Sequence, residues 1–341
     1  MINFIKDLLT FLSYKKNETN YSTGFFCENN FIFQYLEPFI SKKIKKKKIA
    51  IISFEKIDKK ILSKKNIFVF KTNFFRQLIF LTLNLKYLYS STPDLGKTIF
   101  SKSKFNKCKY IYLQHSPVSL TMIYNEGAFN NFDAIQVISK FQLNEMTEIK
   151  EKYNLNIKIF KSQYLFIKRK HKDINNKKNH DLLIAPSWNS SFFKLDCHKI
   201  LKDYLERNNI SYKIRPHPMS YIKGEISKTE LKSLGMLIDD SININFNKYN
   251  FFISDWSGLF IEYALIFKRR SYLINTPKKI ANKNYENFQS IPIEISLRKI
   301  LSNTYEIGQI KNLVDNILEL KNTNNFKEDV NIKKIVEENF Y

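Results

Sequence analysis

Short apolar runs rich in β-branched and aromatic residues recur along the chain between longer polar or amphipathic segments. That is the pattern of strands alternating with helices around parallel sheets, an α/β fold. In the first half it predicts strands over residues 49–54, 67–70, 110–114 and 134–138, and a helix over 141–153. In the second half it predicts strands over 181–185, 212–215, 236–238, 250–254 and 271–274, with helices over 192–207, 259–267 and 309–320. Residues 168–180 hold six lysines or arginines and two adjacent asparagines without an apolar period, and read as an interdomain linker. No short internal repeat is present, which argues against a solenoid or propeller.

A chain of 341 residues suits two domains, each large enough to bury its own core. The expected division is residues 1–170, residues 181–325 and a charged tail, 326–341, that either packs back as a terminal helix or frays. Apolar residues at 43% and aromatics at 15%, with few Gly and Pro, place the chain among packed globular proteins.

Charge widens the choice of partners. The net charge of +24 favours anionic ones: nucleotides, phosphate polymers, nucleic acid or the inner face of a membrane. Lys, Asn and Ile are abundant throughout, however, as in AT-rich coding sequences, and basicity of that origin spreads over solvated faces. The run Lys42, Lys43, Lys45, Lys46, Lys47 and Lys48 is denser than that background and suits an anionic membrane surface. Cys27, Cys108 and Cys197 form no CxxC pair, which indicates neither a disulfide framework nor a zinc site and fits a reducing, cytoplasmic location. The apolar N-terminus, residues 1–14, lacks a signal-peptide cleavage pattern and is interrupted by Asp7. The most apolar stretch, 77–85, is far short of the roughly 20 residues a bilayer requires.

Four segments place polar groups just after predicted strands, where open α/β sheets bind ligands. The run from Tyr110 ends at His115 before Pro117. An imidazole there can take a proton from an attacking hydroxyl, or simply be satisfied by local hydrogen bonds. The strand from Asp181 runs into Pro186, Ser187 and Trp188, whose indole either stacks on a base or packs. Arg215 and His217 alternate with Pro216 and Pro218, so a stiff turn presents a guanidinium and an imidazole, either as an anion clamp or as incidental side chains. The strand ending at Ser254 leads through Asp255, Trp256, Ser257 and Gly258 into a predicted helix bearing Glu262. Its N-terminal N–H groups suit a phosphate, and Glu262 suits a ribose or polyol hydroxyl, whereas Ser257 alone is equally read as an N-cap.

In this order, the His115 turn, Ala-Pro-Ser-Trp, Arg-Pro-His-Pro and Ser-Asp-Trp-Ser-Gly with Glu262 downstream, the segments resemble the CDP-glycerol glycerophosphotransferase family. That family builds teichoic-acid-like and capsular polyol-phosphate chains. The resemblance spans residues 110–275. It implies a GT-B fold, two Rossmann-like domains across a cleft, with an acceptor-binding N-terminal domain and a C-terminal domain holding the CDP donor. It further implies that His115 is the catalytic base and that His217 steadies the donor pyrophosphate; Arg215, Ser187, Trp188, Asp255, Trp256, Ser257, Gly258 and Glu262 are the expected substrate-binding residues. The expected reaction moves a polyol phosphate from a CDP-polyol to a glycan or lipid-linked acceptor and releases CMP, with no cofactor and no metal cluster. Two other readings stand beside it: a GT-B glycosyltransferase using a nucleotide sugar, and a non-catalytic basic protein binding nucleic acid or membrane. The chain lacks a recognisable nucleic-acid module, so nucleic acid is not an expected partner.

Overall fold

The computed structural model describes all residues except 45–47, 58–65, 168–179, 190, 242–243 and 324–327. Part of the lysine run and the expected linker up to residue 179 lie outside the described residues.

Among the described residues, two all-parallel sheets organise the chain. The first contains seven strands: β1 (Thr23–Cys27), β2 (Ile49–Ser53), β3 (Ile67–Val69), β4 (Tyr87–Ser90), β5 (Lys109–Tyr112), β6 (Ala134–Val137) and β7 (Lys158–Lys161), in spatial order 3-2-1-4-5-6-7. The second contains five: β8 (His180–Ile184), β9 (Tyr212–Ile214), β10 (Tyr249–Ser254), β11 (Ser271–Asn275) and β12 (Ser302–Glu306), in order 12-11-10-8-9. Each order reverses direction once, between β1 and β4 and between β8 and β10, which opens a crevice at the carboxyl ends of those strands. The molecule is α/β with two Rossmann-like halves.

Helices cover both sheets: α1 (Ile2–Asn17), α2 (Asn30–Ile44), α3 (Asn73–Leu81), α4 (Lys140–Lys152), α5 (Cys197–Arg207), α6 (Pro218–Ile222), α7 (Lys228–Ser233), α8 (Leu259–Phe267), α9 (Ile293–Leu301), α10 (Ile310–Asn322) and α11 (Val330–Asn339). The strands bury near-continuous apolar runs, as sheets covered on both faces require; β1 and β2 are buried along their whole length. Asp7, the polar interruption of α1, is 1% exposed and accepts from the Lys71 and Thr72 N–H groups and the Thr72 hydroxyl at 2.7–3.1 Å. It satisfies orphan donors at the start of α3.

Several sequence expectations shift. Residues 236–238 form only an isolated bridge, Ile238 to Ile214, instead of a strand. The helix expected from 192 begins at Cys197, because Asp196 takes a left-handed backbone conformation with φ 54°. Strands β1, β4, β7 and β12 were not signalled; β7 and β12 are polar at their exposed ends. Of the two readings of the charged tail, the terminal helix is the one seen: α11 packs back with Ile332 and Val336 buried in the core of the second half. The chain then returns to the first half, where the Tyr341 N–H donates to the Ile138 carbonyl at 3.0 Å. Among the described residues no helix is long and apolar enough to cross a membrane.

Candidate functional site

The carboxyl edges of the two sheets face each other across a cavity of about 380 Å³. Each wall is built from strand tips. Glu28 follows β1, Ser91 follows β4 and His115 follows β5; across from them, Ser187 and Trp188 follow β8, His217 follows β9 and Ser257 follows β10. Prolines 117, 186, 216 and 218 stiffen the chain just past three of these strands, which fixes where the side chains emerge.

His115 has its Nδ1 3.3 Å from the Tyr112 hydroxyl, which itself donates to the Tyr124 hydroxyl at 3.1 Å. Burial pushes the His115 imidazole down to about 4; a hydrogen bond with the Ser91 backbone carbonyl opposes the shift and Lys279 adds to it. The ring is therefore neutral near pH 7, with a lone pair available, and an imidazolium formed on it would find acceptors already placed.

His217 caps the short helix α6, its Nδ1 accepting from the Met219 N–H at 3.1 Å. That bond leaves Nε2–H as the ring's donor. Burial, then the positive charges of Lys279 and Arg215 and the neighbouring His115, pull its pKa to about 3. Arg215 is held by the Ser241 carbonyl at 2.6 Å and lies 3.6 Å from the Asp239 carboxylate.

The structure adds Lys279, in the loop after β11, whose ammonium lies 4.6 Å above the Trp188 ring. Burial lowers its pKa to about 8 against the attraction of Asp255, Glu294 and Glu225. Trp188 is thus a packing partner for a cation within the cavity.

At the β10 tip, Asp255 is fully buried behind the wall and accepts from the Ser187 N–H at 2.8 Å, so it shapes the site without lining it. Arg298 stacks 4.2 Å from the Trp256 ring and donates to the Asp255 carbonyl at 2.5 Å. Ser257 accepts from the Leu259 N–H at 3.3 Å, while Gly258 precedes α8. A Cβ on Gly258 would stand 2.5 Å from Ser116 Oγ and 2.6 Å from Val118 Cγ1. The glycine lets the loop after His115 approach, and so joins the two halves. Glu262 accepts from the Tyr164 hydroxyl at 2.8 Å, and Tyr164 also reaches the His115 carbonyl at 2.9 Å.

The same His115 loop is clasped from below by two buried carboxylates. Glu145 of α4 accepts from the Ser119 and Thr121 hydroxyls and the Leu120 N–H at 2.5–3.0 Å. Glu294 of α9 accepts from the Ser119 N–H at 3.1 Å. Burial raises both, Glu145 to about 8 and Glu294 to about 7.

His115, His217, Arg215, Ser187, Trp188, Trp256, Ser257, Gly258 and Glu262 all line this one cavity. Lys279, Glu28, Tyr35 and Ser91 line it too and were not signalled; Lys279 had a usable cue, a Lys-Lys pair shortly past a predicted strand. Among the described residues, no group of three His, Cys, Asp or Glu converges as a metal site.

No protein-family model matches the chain, and no curated protein matches it in sequence. Solved structures do. The chain is similar to the wall teichoic acid polymerase TagF, soaked with CDPG, with TM-score 0.50 and 12% identity over 98% of this chain and 92% of that one. It is similar to the UDP-GlcNAc 2-epimerase from Methanocaldococcus jannaschii, with TM-score 0.51 and 11% identity over 92% and 98%. A putative UDP-N-acetylglucosamine 2-epimerase from Listeria monocytogenes gives TM-score 0.52 and 10% identity over 92% and 94%. These likenesses establish the fold, GT-B, with two Rossmann-like halves.

Proposed function

We propose that the chain is a transferase that moves a polyol phosphate from a CDP-polyol to an acceptor hydroxyl and releases CMP. The observation that carries this reading is the pairing of His115, from the first sheet, with His217, Arg215 and Lys279, from the second, around one cavity. A fold shared with a teichoic acid polymerase soaked with CDPG supports it.

In this reading the donor diphosphate lies against the second half. Arg215 and Lys279 neutralise its charge, and the His217 Nε2–H and the N–H groups entering α8 donate to its oxygens. Its negative charge raises the pKa of His115, which makes the ring a better base. His115 takes the proton of the acceptor hydroxyl. The hydroxyl oxygen attacks the β-phosphorus, the bond from that phosphorus to the bridging oxygen breaks, and CMP departs with the bridging oxygen. Charge on the phosphoryl oxygens is stabilised by groups already in place.

A nucleotide-sugar glycosyltransferase uses the same fold, and the likeness to UDP-GlcNAc 2-epimerases supports that second reading equally. A donor panel separates the two: CDP-glycerol, CDP-ribitol and UDP- and CMP-sugars, with released nucleotide and product masses recorded. Turnover of sugar donors alone would reject the polyol-phosphate reading. For CDP-polyol turnover, His115→Ala should lower kcat by about 10²–10⁴ and leave CDP affinity intact, whereas Arg215→Ala and His217→Ala should weaken donor binding. A fully active His115→Ala variant removes the base from its role.

The site would work beside a membrane. Ile2, Phe4, Ile5, Leu9 and Leu12 of α1 are 46–70% exposed, and Phe74 of α3 is 57% exposed, next to Phe4 at 5.9 Å between ring centroids. With Lys6, Lys15 and Lys16 on the same helix, this face suits an anionic lipid surface, apolar side chains entering and lysines at the headgroups.

A further inference from the structure

The two walls of the cavity differ in chemistry. The second half contributes Arg215 and Lys279, together with Glu262, which is bonded to Tyr164. In a protein of net charge +24, the charged side chains that the first half contributes, among the described residues, are both acidic: Glu28 and Asp94. Lys97 lies 3.7 Å from Asp94, and Arg76 attracts Glu28, so both are tempered from outside the lining while the lining itself carries no first-half cation among the described residues. The same wall presents two deeply buried polar atoms, Gln34 Oε1 on α2 and Ser91 Oγ after β4, that find no hydrogen-bond partner among the described residues. Gln34 is 4% and Ser91 0% exposed. Unsatisfied buried oxygens of this kind are costly unless a ligand supplies a partner. An amide oxygen can only accept and a serine hydroxyl can do both, so the missing partner is a donor such as a hydroxyl. A phosphate brings acceptors and negative charge, which this wall opposes.

We propose that the first-half wall is an acceptor subsite for an uncharged, hydroxyl-rich end, a glycosyl residue, and that it discriminates against a phosphate-bearing chain. The inference rests on the transferase reading and narrows it: the enzyme adds to a sugar rather than extending a polyol-phosphate polymer. Tyr35 and Tyr124, whose rings flank His115 at 6.0 and 6.1 Å between centroids, supply the apolar faces on which a sugar ring packs.

Binding to the full chain, saturated with CDP, is read by calorimetry without turnover. The probes are N,N′-diacetylchitobiose, cellobiose and a synthetic glycerol phosphate trimer. At least one disaccharide should bind about tenfold more tightly than the trimer, the effect of two carboxylates on a nearby phosphate in a solvated cavity. Ser91→Ala and Gln34→Leu should each weaken the disaccharide roughly fivefold, the loss of one hydrogen bond, with CDP affinity unchanged. Glu28→Lys should strengthen the trimer. Tighter binding of the trimer, no saturable binding of either disaccharide, or disaccharide binding indifferent to both substitutions overturns the proposal. Failure of the transferase reading appears separately, as a chain that neither binds CDP nor turns over any CDP-polyol.

Discussion

Lys279 offers the sharpest test of the proposed diphosphate site. Replacing it with alanine removes an ammonium that burial and the Trp188 face, at 4.6 Å, keep within the site. Two unit charges 4 Å apart are worth about 4 kcal/mol at an effective dielectric of about 20, and a hydrogen bond to a charged group nets about 1.5–3 kcal/mol. Taking about 2 kcal/mol, CDP should bind about 30-fold more weakly to Lys279→Ala than to the native chain, measured by calorimetry. A second readout follows from the histidines. Lys279 adds to the burial that depresses both His115 and His217. Without it their pKa values rise, so the acid limb of the pH–rate profile should move to higher pH. The lysine itself titrates near 8, so native CDP affinity should fall as pH climbs above 8. Lys279→Arg, whose guanidinium stays charged, should abolish that fall. Unchanged CDP affinity in Lys279→Ala, together with an unmoved acid limb, would refute the placement of the diphosphate on the second-half wall.

Three further outcomes follow from the same geometry. Gly258→Val should cost about 1–3 kcal/mol of stability and reduce turnover, because its Cβ meets Ser116 and Val118 of the opposite half; a variant with native melting temperature and native activity would contradict the close approach. Glu145 and Glu294 both have pKa values raised on folding, so the stability they contribute is complete below the unfolded carboxyl value and is lost as pH rises through about 7 to 8. Glu145→Gln should start from a lower melting temperature but decline less steeply between those pH values, and an identical slope would argue against the assignment. Leu9→Glu with Leu12→Glu should abolish sedimentation with phosphatidylglycerol vesicles while leaving CDP binding unchanged; sedimentation equal to that of the native chain would discard α1 as the docking face.

Strand tips were legible in the sequence because each is an abrupt change of chemistry. The apolar runs ending at Ile184, Ile214 and Ser254 give way to Pro, Arg, His, Asp and Ser within two or three residues, and parallel strands buried on both faces cannot hide such a change. Helix α8 was delimited at Leu259–Phe267 for the same reason, being apolar nearly all round. The central strand β1 escaped notice because five residues containing Gly24 carry little periodicity; a Cβ at Gly24 would come within 2.4 Å of Leu85, a contact visible only once the chain is folded.

By itself, then, the sequence determined the α/β class, the strands that matter most to the second half, and which polar residues emerge at their ends. Those are local consequences of where burial stops. Tertiary structure alone decided that His115 meets residues more than a hundred positions away, that Lys279 joins them, that Gly258 serves contact between halves, and that Asp255 supports the wall instead of lining it. Such facts depend on sheet order and on the packing of one half against the other, and no local pattern encodes the direction in which a strand tip points across a cleft.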